Sequence, residues 1–174
     1  MVVYSSTFDA GVVDSDRDGR GNYVFGTKNP FLGTGEQAGL GTDMRVVVPF
    51  DLLPEKQAAI ENGSQVTAQF RVSSIVDRDA LSVDVIGLDN TTSGLVSAGQ
   101  YEAGGRVLAR DVFPNANSTI SFDVTDYAQS VAGTGHIVLR LQLNGRSVNG
   151  AETRFTVGQA DAPLLASKPT LIVR

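Results

Sequence analysis

Cysteine and tryptophan are absent from the 174 residues, and histidine occurs once. Without cysteine there is no disulfide, no thiolate metal ligand and no cysteine nucleophile. The single histidine, His136, would have to anchor any Ser-His-Asp triad or histidine-ligated metal hydrolase, yet no G-x-S-x-G or H-E-x-x-H pattern accompanies it. It is read as a surface histidine at the start of a strand. Positive charge is also in deficit. With 14 Lys plus Arg against 19 Asp plus Glu the formal net charge is -5, so no broad positive field exists to gather nucleic acid or anionic lipid. No run approaches the ~20 apolar residues of a membrane helix. The opening Met1-Val-Val-Tyr-Ser-Ser lacks the basic and apolar regions of a secretory signal. The chain is therefore expected to be a module excised from a larger protein.

What is present is a globular balance, 41% hydrophobic and 19% charged, in a length that suits one domain spanning 1–174. The dominant pattern has period two, the alternation of a strand with one dry and one wet face. Val66, Ala68, Phe70 and Val72 alternate with Gln65, Thr67, Gln69 and Arg71. Ile137, Leu139, Leu141 and Leu143 alternate with His136, Val138, Arg140 and Gln142. Ile120, Phe122 and Val124, and Leu81, Val83 and Val85, repeat the pattern. These alternating runs are read as half-buried; Val2 to Phe8, Arg45 to Phe50, Arg106 to Val112, Thr153 to Val157 and Thr170 to Val173 are shorter candidates that complete about nine strands. Glycines fall mostly between these runs, and Asn144-Gly145 reads as a hairpin tip. Short helices are expected over Pro54 to Asn62, stopped by Gly63, and over Asp126 to Ala132, with Thr125 as N-cap. No helix separates successive strands. The fold class is therefore all-β, an antiparallel two-sheet β-sandwich or jelly roll with one or two short helical turns.

The sharpest local motif is Asp14-Ser-Asp16-Arg-Asp18-Gly19-Arg20-Gly21-Asn22. Carboxylates on alternate residues followed by glycine let a loop wrap oxygen ligands around a hard cation, and calcium is the natural candidate. Asp14, Asp16 and Asp18 would supply side chains and Arg20 a carbonyl. Asp9, Asn22 and Asp161 are the further candidates. The twelfth position is Phe25 and no amphipathic helix flanks the loop, so this is no EF-hand. Such a calcium would be structural, and a solvated acidic turn is the alternative.

A sugar site would use flat aromatic faces and hydrogen-bonding cations. Tyr23 and Tyr101, in polar glycine-bordered segments, are the surface candidates, whereas Phe50, Phe70, Phe122 and Phe155 lie in strand runs and read as core. Arg106, Arg110, Arg140, Arg146 and Arg154 recur in or near the later strands and, on one face, would receive a carboxylated or sulfated sugar. Ordinary surface charge is the plainer account of them.

The motifs also combine across the chain. Arg45-Val-Val-Val-Pro-Phe50-Asp51-Leu52-Leu53-Pro54 is followed by the strand from Val66. Later come Ser121-Phe-Asp-Val-Thr125, the strand Ile137 to Leu143, Arg154-Phe155 and Lys168-Pro169-Thr170-Leu171-Ile172-Val173. With Phe8-Asp9-Ala10 at the front, this order resembles the DNRLRE-type and alginate-type carbohydrate-binding β-sandwich domains over nearly the whole chain. The tryptophan-containing middle stretch of such domains is replaced here by Asp89 to Gly105. Arg45 reads as a buried partner for Asp51 or Asp123. The resemblance implies a noncatalytic jelly-roll module of a secreted protein, covalently linked to a catalytic domain and holding it on a polysaccharide, uronate polymers among the candidates. Its place would be extracellular or at the cell surface. A structural or adhesive spacer without a sugar site is the alternative, and a jelly-roll polysaccharide lyase is the reading least served by one histidine.

Overall fold

The computed structural model describes residues 2–5, 10–16, 18–25, 31–34, 43–76, 82–89, 95–113, 115–144, 153–157 and 168–174. Twelve strands lie among them. In chain order they begin with β1 (Val2–Ser5), β2 (Ala10–Asp14), β3 (Tyr23–Phe25), β4 (Phe31–Thr34) and β5 (Asp43–Asp51). After helix α1 (Pro54–Glu61) come β6 (Val66–Val76), β7 (Ser82–Leu88), β8 (Gly105–Val112) and β9 (Thr119–Asp123). Helix α2 (Thr125–Val131) precedes β10 (His136–Asn144), β11 (Thr153–Val157) and β12 (Thr170–Val173). Each of the nine expected runs contains a strand among its described residues, and β2, β3 and β4 are short additions.

Every pairing among the described strands is antiparallel. One sheet runs β1-β12-β6-β9. The other runs β5-β10-β7-β8, with the β2–β3 hairpin on the second edge of β5. The far half of the long strand β6 leaves the first sheet to pair β11, which continues through β4 to a bridge with β5. The result is the expected two-sheet antiparallel β-sandwich, joined along one side.

The inner faces meet as the alternation requires. Val46, Val48 and Phe50 of β5, Ile137, Leu139 and Leu141 of β10, and Val83 and Val85 of β7 pack against Val66, Ala68 and Phe70 of β6 and Leu171 and Val173 of β12. Helices α1 and α2 close one end, inserting Ile60, Tyr127 and Ala128 into this core.

Three expectations need correction. Strands β7 and β10 are not half-buried: all seven residues of β7 and the stretch 137–141 of β10 are inside. The reason is a third layer. Residues 96–103 lie across the outer face of the second sheet, where Val12, Val47, Ile86, Leu88, Tyr101 and Val138 form a separate cluster. Thr125 is the first residue of α2 rather than its cap. Its hydroxyl accepts from the Val66 amide at 2.9 Å and donates to Asp123 at 2.6 Å, so it ties the helix start to β6. The turn expected at Asn144-Gly145 lies outside the described residues; among those described, β10 pairs β5 and β7 while β11 pairs β4 and β6. Arg45 bonds neither Asp51 nor Asp123. Its guanidinium lies 3.8 Å above the Tyr101 ring and donates to the Tyr101 carbonyl, while Asp51 meets His136 and Asp123 meets Thr125.

Candidate functional sites: an acidic hairpin loop and a polar groove

The acidic motif is the loop of the β2–β3 hairpin. Register Val13↔Tyr23 brings the two ends together, and the Asn22 amide donates to the Val13 carbonyl at 2.8 Å. Alternate positions of so tight a loop project to one side, and one carboxylate oxygen from each of Asp14, Asp16 and Asp18 lies within 4.8 Å of the others. Asp14 is only 2% exposed, whereas Asp16 and Asp18 are exposed. The Asp14 Oδ2 accepts from the Gly19 amide at 2.9 Å, a turn that Gly19 permits with φ +91. The Asp14 Oδ1 is enclosed and has no donor among the described residues. Asp18 accepts from the Arg20 amide at 2.8 Å.

Asn22 braces the loop: its Oδ1 takes both the Ser15 amide, at 2.5 Å, and the Ser15 hydroxyl, at 2.9 Å. Asp9 and Asp161 lie outside the described residues. Two acids missed by sequence reasoning stand beside the loop. Asp43 is the register partner of Asp14 on β5, and Glu102 accepts from the Gly21 amide at 3.0 Å. No local pattern marks either one; they arrive through strand pairing and through the overlying segment.

That segment explains the fate of two sugar-site candidates. Tyr101 is 2% exposed and Arg140 is 6% exposed, so neither presents itself to a polymer. Their surface roles are corrected to structural ones. Arg140 Nη1 lies 2.8, 2.7 and 2.9 Å from the carbonyls of Gln100, Tyr101 and Ala103, capping a 3-10 turn over Ala98–Gln100. Burial and the neighbouring Arg45 guanidinium push Arg140 down to about 10, and it stays charged at neutral pH. Tyr101 donates to Asp43 at 2.5 Å, and burial followed by this bond pushes its hydroxyl above the ordinary tyrosine range. The outward apolar residues Val138 and Ile86 were the sequence signal for a covering layer, since a wet face has little use for them.

The remaining candidates divide. Arg106 and Arg110 are exposed on edge strand β8, and Tyr23 is 42% exposed on β3. Arg154 is placed by its backbone on β11, opposite Gly33 and Val76, and Arg146 lies outside the described residues. The arginines at 106, 110 and 140 do not share one open face.

Arg106 instead borders a groove of about 450 Å³ between β8 and the start of α2, with Gln65, Val107, Asp123 and Asp126 in its wall. Arg106 and Asp126 are 3.6 Å apart and both exposed, a loose pair. Asp123 is held below the usual carboxylate range by the Thr125 hydroxyl and amide. Outside the groove lining, His136 Nδ1 meets Asp51 at 2.8 Å. Among the described residues no hydroxyl bonds the other nitrogen of that ring. No helix of the described residues is long and apolar enough to cross a membrane. No protein-family model matches the chain, and no curated protein matches its sequence.

Proposed function

We propose that the chain is a noncatalytic carbohydrate-binding module of an extracellular or cell-surface protein, holding a covalently linked enzyme near a polysaccharide, with one structural calcium in the β2–β3 loop. The groove beside Arg106 carries the reading. Sugar hydroxyls are recognised by fixed carboxylates, amides and guanidinium groups, with apolar atoms against the ring's C–H faces. Gln65, Arg106, Asp123 and Asp126 supply the first set and Val107 the second. The loosely held Arg106 guanidinium also suits a uronate carboxylate, which it would bind in a two-pronged manner. The Asp14, Asp16 and Asp18 carboxylates form an oxygen-only donor set of the kind calcium takes, with carbonyls such as that of Arg20 and water as further ligands.

Affinity electrophoresis against neutral and uronate-containing polysaccharides tests the proposal. Retardation by one polymer, abolished by Arg106→Ala and weakened by Asp126→Asn, is the expected result; equal mobility in every polymer refutes it. The structural or adhesive spacer remains the second reading, because Tyr101 and Arg140, two of the residues offered for sugar, serve the fold instead. A calcium response without any polysaccharide response would favour the spacer.

A further inference from the structure

The Asp14 carboxylate has one oxygen satisfied by the Gly19 amide and the other enclosed with no donor among the described residues. An enclosed carboxylate oxygen left in this state is costly, and a protein normally provides a donor or a cation. The same carboxylate belongs to the only group of three acids, among the described residues, with mutually close ligand atoms. We infer that a divalent cation bound there controls the docking of residues 96–104 on the outer face of the sheet, an inference that rests on the calcium part of the reading above and not on its polysaccharide part.

Two routes connect the ligands to that segment. Through the loop, the Gly21 amide holds Glu102 at 3.0 Å, and Gly21 sits so close that a Cβ there would lie 2.1 Å from the Ala98 carbonyl oxygen and 2.8 Å from Tyr101 Cβ. Through the sheet, Asp14 pairs in register with Asp43, which accepts the Tyr101 hydroxyl. Without a cation, the Asp14, Asp16 and Asp18 carboxylates repel one another across the hairpin loop, whereas the Arg45 and Arg140 guanidinium groups beside Tyr101 offset Asp43 and Glu102, so the unrelieved repulsion loosens the loop against which the segment packs. A bound divalent ion removes most of that repulsion and fixes the loop in the shape that receives the segment. Coupling of this kind is reciprocal: whatever undocks residues 96–104 must weaken the ion, although it touches no ligand. Calcium is favoured over magnesium because three carboxylates on a loop suit a large, adaptable coordination shell better than a strict octahedron.

The test uses the whole chain after chelator treatment, with no glycan present. Calorimetry and thermal melts with calcium chloride and magnesium chloride are combined with hydrogen exchange of the amides in 96–104. The expected result is one calcium per chain, weaker magnesium binding, a melting temperature ~5–10 °C higher at a hundredfold excess over Kd, and slower exchange across 98–103. The exposed Asp16→Asn and Asp18→Asn variants should fold and lose the calcium response. Gly21→Ala, which changes no ligand, should weaken calcium about tenfold, within the ordinary range of coupling between sites. Absence of calcium binding at millimolar concentration overturns the site. Calcium binding with unchanged exchange in 98–103, or with undiminished affinity in Gly21→Ala, overturns the coupling. Polysaccharide affinity plays no part in any of these outcomes, so the two readings fail separately.

Discussion

Replacing Gly87 by alanine puts the packing of α2 against the second sheet to a direct test. A Cβ at this position would lie 2.6 Å from Tyr127 Cε2 and 2.7 Å from both Cδ2 and Cζ. The ring has nowhere to go. It is fully buried, and its hydroxyl lies 2.9 Å from the carbonyls of Leu88 and Val138, on two adjacent strands. Overpacking a close-fitted core costs ~1–3 kcal/mol, and loss of the tyrosine hydrogen bond adds ~1 kcal/mol. A total of ~2–4 kcal/mol is a large share of the ~5–15 kcal/mol that holds a typical domain together. In urea, followed by far-UV circular dichroism, the midpoint should fall by ~1–2 M with the slope unchanged. The control reverses the sign. With Tyr127→Ala already in place the obstruction is gone, and alanine should be better than glycine in a strand by ~0.5–1 kcal/mol. A Gly87→Ala midpoint equal to wild type, or the same loss in both backgrounds, would refute the reasoning.

Asp16→Ala and Asp18→Ala should lower thermal stability in calcium by up to ~2.7 kcal/mol at a hundredfold excess over Kd, while leaving the chelator-treated protein nearly unchanged; equal losses in both conditions would remove the metal. Arg140→Met strands three carbonyls under the outer layer and should cost ~3 kcal/mol by chemical denaturation, whereas the exposed Arg110→Ala should stay within ~0.5 kcal/mol of wild type. Alkali gives a further test, because Tyr127 and Tyr101 are both raised, chiefly by burial. A raised folded value means that the stabilising contribution is intact below the unfolded tyrosine value of about 10 and is lost as pH rises above it. Unfolding midpoints should therefore drop steeply above pH ~10, with the drop reduced in Tyr127→Phe; a flat profile through that window would contradict the burial of these hydroxyls.

Local rules made much of the fold legible. Each of the four alternating runs became a strand because period two is a property of the strand backbone itself. Pro54 at the start of α1 and Asn62-Gly63 at its end bounded that helix for equally local reasons. The acidic motif was recognisable because a short hairpin loop gathers Asp14, Asp16 and Asp18 whatever the rest of the chain does. Thr125 misled because its side chain had a stronger use, bridging Val66 and Asp123, than capping the helix beside it.

Which residues alternate and which three acids share a loop could be read from the chain alone, since these depend on neighbours a few positions apart. Tertiary structure decided which strands are adjacent, that β10 and β11 are not partners, and that a third layer covers Arg140 and Tyr101. It also brought Asp43 and Glu102 to the acidic loop and Gln65 to the groove beside Arg106. Alternation says that a side chain faces one side of a sheet or the other. It does not say what lies on that side, because strand register and covering segments are set by contacts between residues far apart in the chain.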